Sequence, residues 1–103
     1  MLGSFVSESC LLRLQFASEL YDSVTDALLS YPERELSFVA LAVQAHAYPL
    51  QSMSEQVSGY QDKTLLEVTV FKTEALALYR HIQQNLPQAD LQVQLMPLLP
   101  LEA

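Results

Sequence analysis

Several residue types are scarce in this chain, and each shortage excludes a class of protein. A single cysteine, Cys10, among 103 residues excludes a framework of internal disulfides and favours a reducing compartment. Only two glycines are present, and neither of the phosphate-binding patterns G-x-x-x-x-G-K-S/T and G-x-G-x-x-G occurs. A glycine-rich loop that cradles phosphate is therefore not expected. No apolar stretch approaches the roughly 18 residues of a membrane-spanning helix, so direct membrane insertion is not expected either.

Positive charge is also scarce, with five Lys and Arg residues against twelve Asp and Glu and a net charge of −7. Nucleic-acid affinity comes mainly from neutralising phosphates, so five scattered cations exclude DNA and RNA as partners. The first cation is Arg13, and the chain start therefore lacks the basic region of a signal peptide. We expect a cytoplasmic protein in which residues 1–9 form a flexible leader and residues 10–103 form one domain.

Hydrophobic residues are plentiful, and their period changes along the chain. They alternate in four segments, as in strands, and recur every three to four residues in two segments, as in helices. The order is β-α-β-β-α-β, which is the ferredoxin-like order. The sequence thus predicts an α+β domain with an antiparallel four-stranded sheet and two helices on one face. The residues that carry the pattern are Leu12, Leu14, Phe16; Leu20, Val24, Ala27, Leu28, Tyr31; Val39, Leu41, Val43; Leu66, Val68, Val70; Ala75, Leu78, Tyr79, Ile82, Leu86; and Leu91, Val93, Leu95.

The ends of the predicted helices carry recognisable signals. Ser18 and Thr73 stand before the two helical stretches, and their hydroxyl groups are predicted to cap them. Pro32 and Pro87 follow the stretches, and the residue before a proline avoids the helical conformation. Both helices are therefore expected to end at these prolines.

The segment between strands 2 and 3, residues 46–61, is longer than a hairpin turn requires. Ser52 and Glu55 within it have the spacing of a capping box, and Gly59 stands where a helix C-cap would lie. One or two helical turns are therefore expected over residues 53–58. We call residues 46–61 the connector; loops of this length in compact domains are commonly functional or flexible.

The sheet face predicted to lie away from the helices carries little charge. An antiparallel sheet can leave one face in water, but such a face should be mostly charged. Here only Arg13 and Glu67 are charged, so we expect self-association through this face; a mildly apolar exposed face of a monomer is the alternative. The apolar segment over residues 96–101 is expected to pack on a neighbour or on its own core. The predicted face comprises Leu11, Arg13, Gln15; Phe38, Ala40, Ala42, Gln44; Leu65, Glu67, Thr69, Phe71; and Gln92, Gln94, Met96.

Few residues suggest chemistry. His46 ends strand 2 and is a candidate metal ligand, but no second ligand stands at a recognisable spacing, and a hydrogen bond that anchors the loop is the alternative. Cys10 could join a thiol dyad, although its apolar strand favours a small core residue. Tyr60, Asp62 and Lys63 either hold a small anionic ligand or simply begin a strand. No acid–base pair indicates catalysis, so an enzyme is not expected.

The connector region, AHAYPLQSMSEQVSGYQDK, is the most specific part of the sequence, and its core is EQVSG. Together with residues 86–90 (LPQAD) and 96–98 (MPL), it resembles a small family of uncharacterised PII-like proteins. Members of that family are often encoded beside heavy-metal efflux pumps of the RND type. The resemblance covers about residues 10–99, and the family looks related to PII signalling proteins and to CutA.

The resemblance implies a trimer whose sheets face inward and whose connector responds to a small effector and docks on a partner, such as a cation-efflux transporter in the membrane. It indicates His46, Glu55, Gln56, Gly59 and Tyr60 as ligand or partner contacts, with Gly59 serving backbone geometry. The segments with which PII proteins hold ATP are missing, so a nucleotide is not expected. A divalent metal bound through His46 is a candidate ligand, and the identity of the effector is left open. The alternative function is a cytosolic metal-binding protein of the CutA-like type.

Overall fold

A computed structural model of the protein describes residues 8–46 and 59–101, which form a four-stranded antiparallel sheet and two helices. The strands lie side by side in the order β2-β3-β1-β4. This order, with two helices on one face of the sheet, confirms the predicted ferredoxin-like fold. The elements are β1 (Ser9–Ala17), α1 (Tyr21–Leu29), β2 (Phe38–Ala45), β3 (Gln61–Phe71), α2 (Ala75–Asn85) and β4 (Gln92–Pro97).

The core lies between the helices and the sheet face that they cover, which we call the inner face. Residues of β1 alternate between buried and partly exposed, and Leu14 and Phe16 have no exposed surface. Both helices contribute their apolar stripes to the same cluster. No helix within the described residues is long and apolar enough to cross a membrane. The other large members of the core are Leu12, Val24, Leu28, Tyr31, Leu36, Leu66, Val68, Val70, Leu78 and Ile82.

The predicted orientation of β2 is wrong. Phe38 pairs with the buried Val68, and Val39 pairs with Glu67. Directly paired residues of an antiparallel sheet share a face. Phe38, Ala40, Ala42 and Gln44 therefore lie on the inner face, and Val39, Leu41 and Val43 lie on the opposite face, which we call the open face. The predicted assignments of β1, β3 and β4 to the open face are confirmed by their pairings.

β2 has this orientation because it lies at the edge of the sheet. The buried core comes from β1, β3 and the two helices, and β2 adds only the partly buried Phe38. Ala40, Ala42 and Gln44 are exposed although they lie on the inner face. Small residues suffice there, so the larger apolar side chains of β2 occupy the open face.

The predicted helix caps are also wrong. Residues 18–20 form a turn of 3-10 helix before α1, and the hydroxyl of Ser18 lies 3.2 Å from the hydroxyl of Thr64 in β3. α2 begins after Glu74 rather than after Thr73, and neither helix has a side-chain cap. The carboxylate of Glu74 instead accepts a hydrogen bond from the backbone amide of Phe71 at 3.0 Å. The Glu74 side chain is therefore bonded to the end of β3 and caps no amide of α2.

The structure describes only part of the predicted leader, residues 1–9, and of the connector. β1 begins at Ser9, and the carbonyl of Glu8 accepts a hydrogen bond from the amide of Lys72 at 2.7 Å. Residues 1–7 of the predicted leader and the predicted helical turns at 53–58 lie outside the described residues.

Candidate regulatory site at the base of the connector

The two ends of the connector lie next to each other on the sheet. Ala45 and Gln61 form the last pair between β2 and β3. His46, which comes after Ala45, and Tyr60, which comes before Gln61, lie just beyond this pair. The rings of His46 and Tyr60 contact each other, with centroids 5.8 Å apart and planes tilted by 44°. The connector therefore leaves the sheet and returns to it through one aromatic pair. Both residues are among the candidates that the sequence indicates, but their contact depends on the pairing of β2 with β3.

Gly59 immediately precedes this pair and has a backbone φ of +81°. Residues with a side chain rarely adopt this left-handed conformation, whereas glycine does so at no steric cost. A Cβ atom added at Gly59 would meet no heavy atom within 4 Å. The requirement for glycine here is therefore conformational and does not arise from crowding.

Of the five candidate site residues, the structure brings three together and leaves two undescribed. His46, Gly59 and Tyr60 surround the connector base, while Glu55 and Gln56 lie outside the described residues. Within residues 8–46 and 59–101, no group of three His, Cys, Asp or Glu side chains could hold a metal ion. Metal binding by His46 stays a prediction.

The polar residues after Gly59 do not converge on one ligand. β3 begins at Gln61, the last residue of the segment that the sequence assigned to the connector. Successive strand residues point to opposite faces, so Asp62 and Lys63 lie on different sides of the sheet. Lys63 is buried, and Asp62 is exposed. Of the two interpretations of this cluster, the structure favours the beginning of a strand.

The open face is more apolar than the sequence predicted, because β2 presents its larger residues there. Val39 is 58% exposed and Leu41 is 50% exposed. Leu41 pairs with Leu65, and Leu11 pairs with Met96, so apolar pairs lie on both sides of the row that holds Arg13 and Glu67. Besides Arg13 and Glu67, this face carries the buried Lys63. An apolar sheet face with so little charge has the character of a surface between protein chains.

A single ion pair lies in the middle of the open face. Arg13 and Glu67 are paired across β1 and β3, and an Arg13 side-chain nitrogen lies 3.1 Å from a Glu67 carboxylate oxygen. Val39 and Gln94 complete the same row across the four strands. The Nε atom of Arg13 is buried and has no hydrogen-bond partner among the described residues. The two opposite charges largely neutralise each other, so they do not prevent this face from associating with another chain.

A second polar cluster, which no sequence pattern predicted, connects the loop after α1 to the start of α2. The Nε atom of Arg34 lies 3.1 and 3.2 Å from the two carboxylate oxygens of Glu74, and a further guanidinium nitrogen also binds this carboxylate. Arg34 also donates to the carbonyl of Thr69 at 3.3 Å and stacks over the ring of Phe71 at 5.3 Å. Arg34 and Glu74 thus fix the loop against the end of β3.

Tyr31 and His81 extend this cluster between the helices. The Nε2 atom of His81 lies 2.9 Å from the carbonyl of Ala27, and its ring meets that of Tyr31 edge to face at 5.6 Å. The hydrogen bond from Arg34 is the main cause that lowers the pKa of Glu74. Burial, followed by the nearby Glu74 carboxylate, raises the pKa of Tyr31. These contacts join α1 and the loop after it to β3 and α2.

Comparisons with known proteins place the chain among proteins of the same fold. A family model described as "Protein of unknown function (DUF3240)" matches residues 6–101. The crystal structure of a DUF3240 family protein from Shewanella baltica OS155 is similar with a TM-score of 0.70 and 18% identity, over 95% of this chain and 98% of that chain. No curated protein matches the sequence.

Two solved structures connect the fold to PII proteins. Arabidopsis thaliana PII bound to citrate has a TM-score of 0.64 and 15% identity, over 89% of this chain and 78% of that one. A candidate PII-like signalling protein from Thermus thermophilus has a TM-score of 0.62 and 12% identity, over 89% and 88% of the respective chains. At these identities the comparisons establish a shared fold.

Proposed function

Because the chain belongs to the DUF3240 family and shares its fold with PII proteins, we propose that it is a ligand-responsive regulator of the PII-like type. It works in the cytoplasm as a trimer and catalyses no reaction. Its effector binds near the base of the connector, and the connector then binds or releases a partner. The partner is a cation-efflux transporter, in line with the genetic setting that the sequence resemblance implies.

The observation that carries this proposal is the apolar open face. Val39 and Leu41 are at least half exposed in the protomer, and the ion pair between Arg13 and Glu67 leaves that part of the face almost neutral. Burying apolar surface contributes about 25 cal/mol per Å², so covering this face favours association. Assembly through the open faces leaves the helices outside and the connectors free. The number three follows from the resemblance to PII proteins.

The connector base supports the regulatory part of the proposal. His46 and Tyr60 hold the two ends of the connector together, and Gly59 lets the chain turn there. A ligand can change the connector only through different affinities for its conformations. A ligand that contacts His46 and Tyr60 would act on both ends of the connector at once. Residues 47–58, with Glu55 and Gln56, then present the contacts that the partner reads.

Assembly is tested with two matched substitutions and sedimentation velocity. Leu41→Glu places a carboxylate in the apolar part of the open face, and Leu29→Glu makes the same change on exposed α1, away from it. We expect Leu41→Glu to stay folded but to lose assembly through the open face and so to sediment at a lower mass, and Leu29→Glu to sediment as the wild type does. A Leu41→Glu variant that keeps the wild-type mass would overturn the assignment of the interface.

The regulatory role is tested by replacing residues 47–58 with a short Gly/Ser linker. We expect this variant to assemble normally but to lose binding of the transporter and its effect on metal efflux. A variant with residues 47–58 in scrambled order, and so with the same length and composition, shows whether the sequence matters. If the linker variant binds the transporter and supports efflux like the wild type, the connector is not the reporter.

A further inference from the structure

A groove lies on the helix side of the sheet, between α2 and β4, and so on the opposite side from the open face. Its volume is about 360 Å³, and its walls are mostly apolar. Leu76 and Leu95 on its two sides are 57% and 47% exposed. The residues that line it are Leu12, Ala75, Leu76, Tyr79, Val93 and Leu95.

The groove follows from how α2 sits over the sheet. α2 buries Ala75, Leu78 and Ile82 in the core, which leaves Leu76 and Tyr79 at the side of the helix. β4 is an edge strand, and no other described helix lies beyond α2 to cover it. The apolar inner-face residues of β4 therefore remain open, although the domain gains stability by covering such surface.

The same chain carries an apolar segment that no described residue covers. We call residues 98–101, Leu98-Leu99-Pro100-Leu101, the tail. The amide of Leu98 donates to the carbonyl of Ser9 at 3.1 Å, which extends the β4 ladder past Pro97. Beyond this bond, Leu99 is 88% exposed and Leu101 is completely exposed. Two exposed leucines beside a proline are poorly suited to contact with water.

The tail cannot fill the groove of its own protomer without breaking its attachment. Leu95 lies in the groove, and the chain runs away from it towards Leu98. Beyond Leu98 the tail has only residues 99–101, which span at most about 10 Å and would have to reverse direction. Pro100 has a fixed φ and favours an extended chain. An occupant from this sequence therefore has to come from another molecule.

We propose that the tail of one copy binds in the α2–β4 groove of a second copy, with Leu99 and Leu101 as its anchors. Charge supports this pairing. Arg80 lies one helical turn after Leu76 on the same side of α2, and it makes no ion pair with any residue that the structure describes. Glu102 follows the tail in the sequence. The sequence thus places a negative charge directly after the tail, opposite in sign to Arg80.

This exchange does not depend on the trimer proposed above, because it uses the other side of the sheet. Tail and groove lie at the same end of the protomer, where β4 ends and α2 begins. One contact between two copies can therefore fill both grooves, and such reciprocal contacts give closed assemblies rather than filaments.

Cysteine cross-linking between two full-length variants tests the exchange. Tagged Leu99→Cys is mixed with untagged Leu76→Cys under mild oxidation; the native Cys10 is buried and does not interfere. The matched control replaces Leu76→Cys by Leu29→Cys, which also substitutes an exposed helical leucine but lies outside the groove. We expect a disulfide-linked heterodimer from the first mixture at about tenfold the yield of the control. Equal yields from the two mixtures would overturn the proposal.

A second measurement does not rely on disulfide geometry. The variants Leu99→Ser and Leu76→Ser both alter exposed residues and should fold. Each should raise the concentration at which the contact between copies half-dissociates by about tenfold or more, because each leaves one leucine contact unmade. Leu29→Ser should leave that concentration unchanged. Sedimentation profiles of the tail and groove variants that match the wild type at all concentrations would contradict the exchange.

Discussion

Removing the charge of Glu74 should destabilise the domain in a pH-dependent way. Glu74→Gln keeps the size of the side chain but leaves Arg34 without its carboxylate partner. The Glu74 side chain is 15% exposed, so water can replace the lost contacts only in part. Hydrogen bonds to charged groups contribute about 1.5–3 kcal/mol, and we expect a loss of about 2 kcal/mol at neutral pH. With an m-value of about 1–2 kcal/mol/M, the urea midpoint falls by about 1–2 M.

The pH dependence of this loss follows from the lowered pKa of Glu74. The folded protein keeps the carboxylate ionised at pH values where the unfolded chain, with a pKa of about 4.3, takes up a proton. The stabilisation is therefore complete above the unfolded pKa and is lost as the pH falls through the folded pKa. The difference between wild type and Glu74→Gln should be constant from about pH 6 to 8 and should shrink below about pH 4.

Urea unfolding followed by circular dichroism at one fixed protein concentration measures this difference, since the stability of an oligomer depends on concentration. Glu35→Gln is the control, because it removes an exposed carboxylate next to Arg34. Arg34 contacts Glu35 only through the backbone carbonyl of Glu35, and the substitution keeps that carbonyl. The control should shift the midpoint by much less. A Glu74→Gln variant no less stable than Glu35→Gln, or a difference that persists undiminished in acid, would refute this reasoning.

Three further substitutions test the core, the connector base and the helix contact. Phe16→Ala removes a completely buried ring and should cost about 3–5 kcal/mol of unfolding free energy, measured in urea. Gly59→Ala should cost about 1 kcal/mol through backbone strain alone, since no atom opposes the new methyl group; an unchanged midpoint would contradict this. Tyr31→Phe removes a hydroxyl that interacts with the nearby Glu74 carboxylate and should cost about 1 kcal/mol at pH 8. Because burial raises the pKa of Tyr31, wild-type stability should fall as the pH rises past about 10, and the fall should be smaller in Tyr31→Phe.

The fold could be predicted because the hydrophobic period distinguishes helices from strands. β1 shows why, since Leu12, Leu14 and Phe16 alternate with more polar residues and only one of its faces can be buried. β2 lacks this contrast. Its sequence FVALAVQA is apolar at both phases, so the period identifies a strand but not which face it turns to the helices. The pairing of Phe38 with Val68 settles the orientation, and that pairing is visible only in the folded sheet.

The contacts around Glu74 could not be predicted from local patterns. Arg34 and Glu74 are 40 residues apart and lie in the connections before β2 and before α2. The available signal was an acid beside the start of α2, which resembles ordinary pairing with the helix dipole. At the connector base, the sequence identified His46, Gly59 and Tyr60, and their proximity follows from the pairing of β2 with β3. The roles of Glu55 and Gln56 stay predictions.

The central claim is that the open face of the sheet is buried between copies of this chain. A native mass spectrum of the wild-type protein at low micromolar concentration tests it most directly. We expect species that contain three protomers of 11.6 kDa, or a multiple of three, and little monomer. A spectrum dominated by a folded monomer under these conditions would contradict the claim, because Val39 and Leu41 would then remain exposed to water.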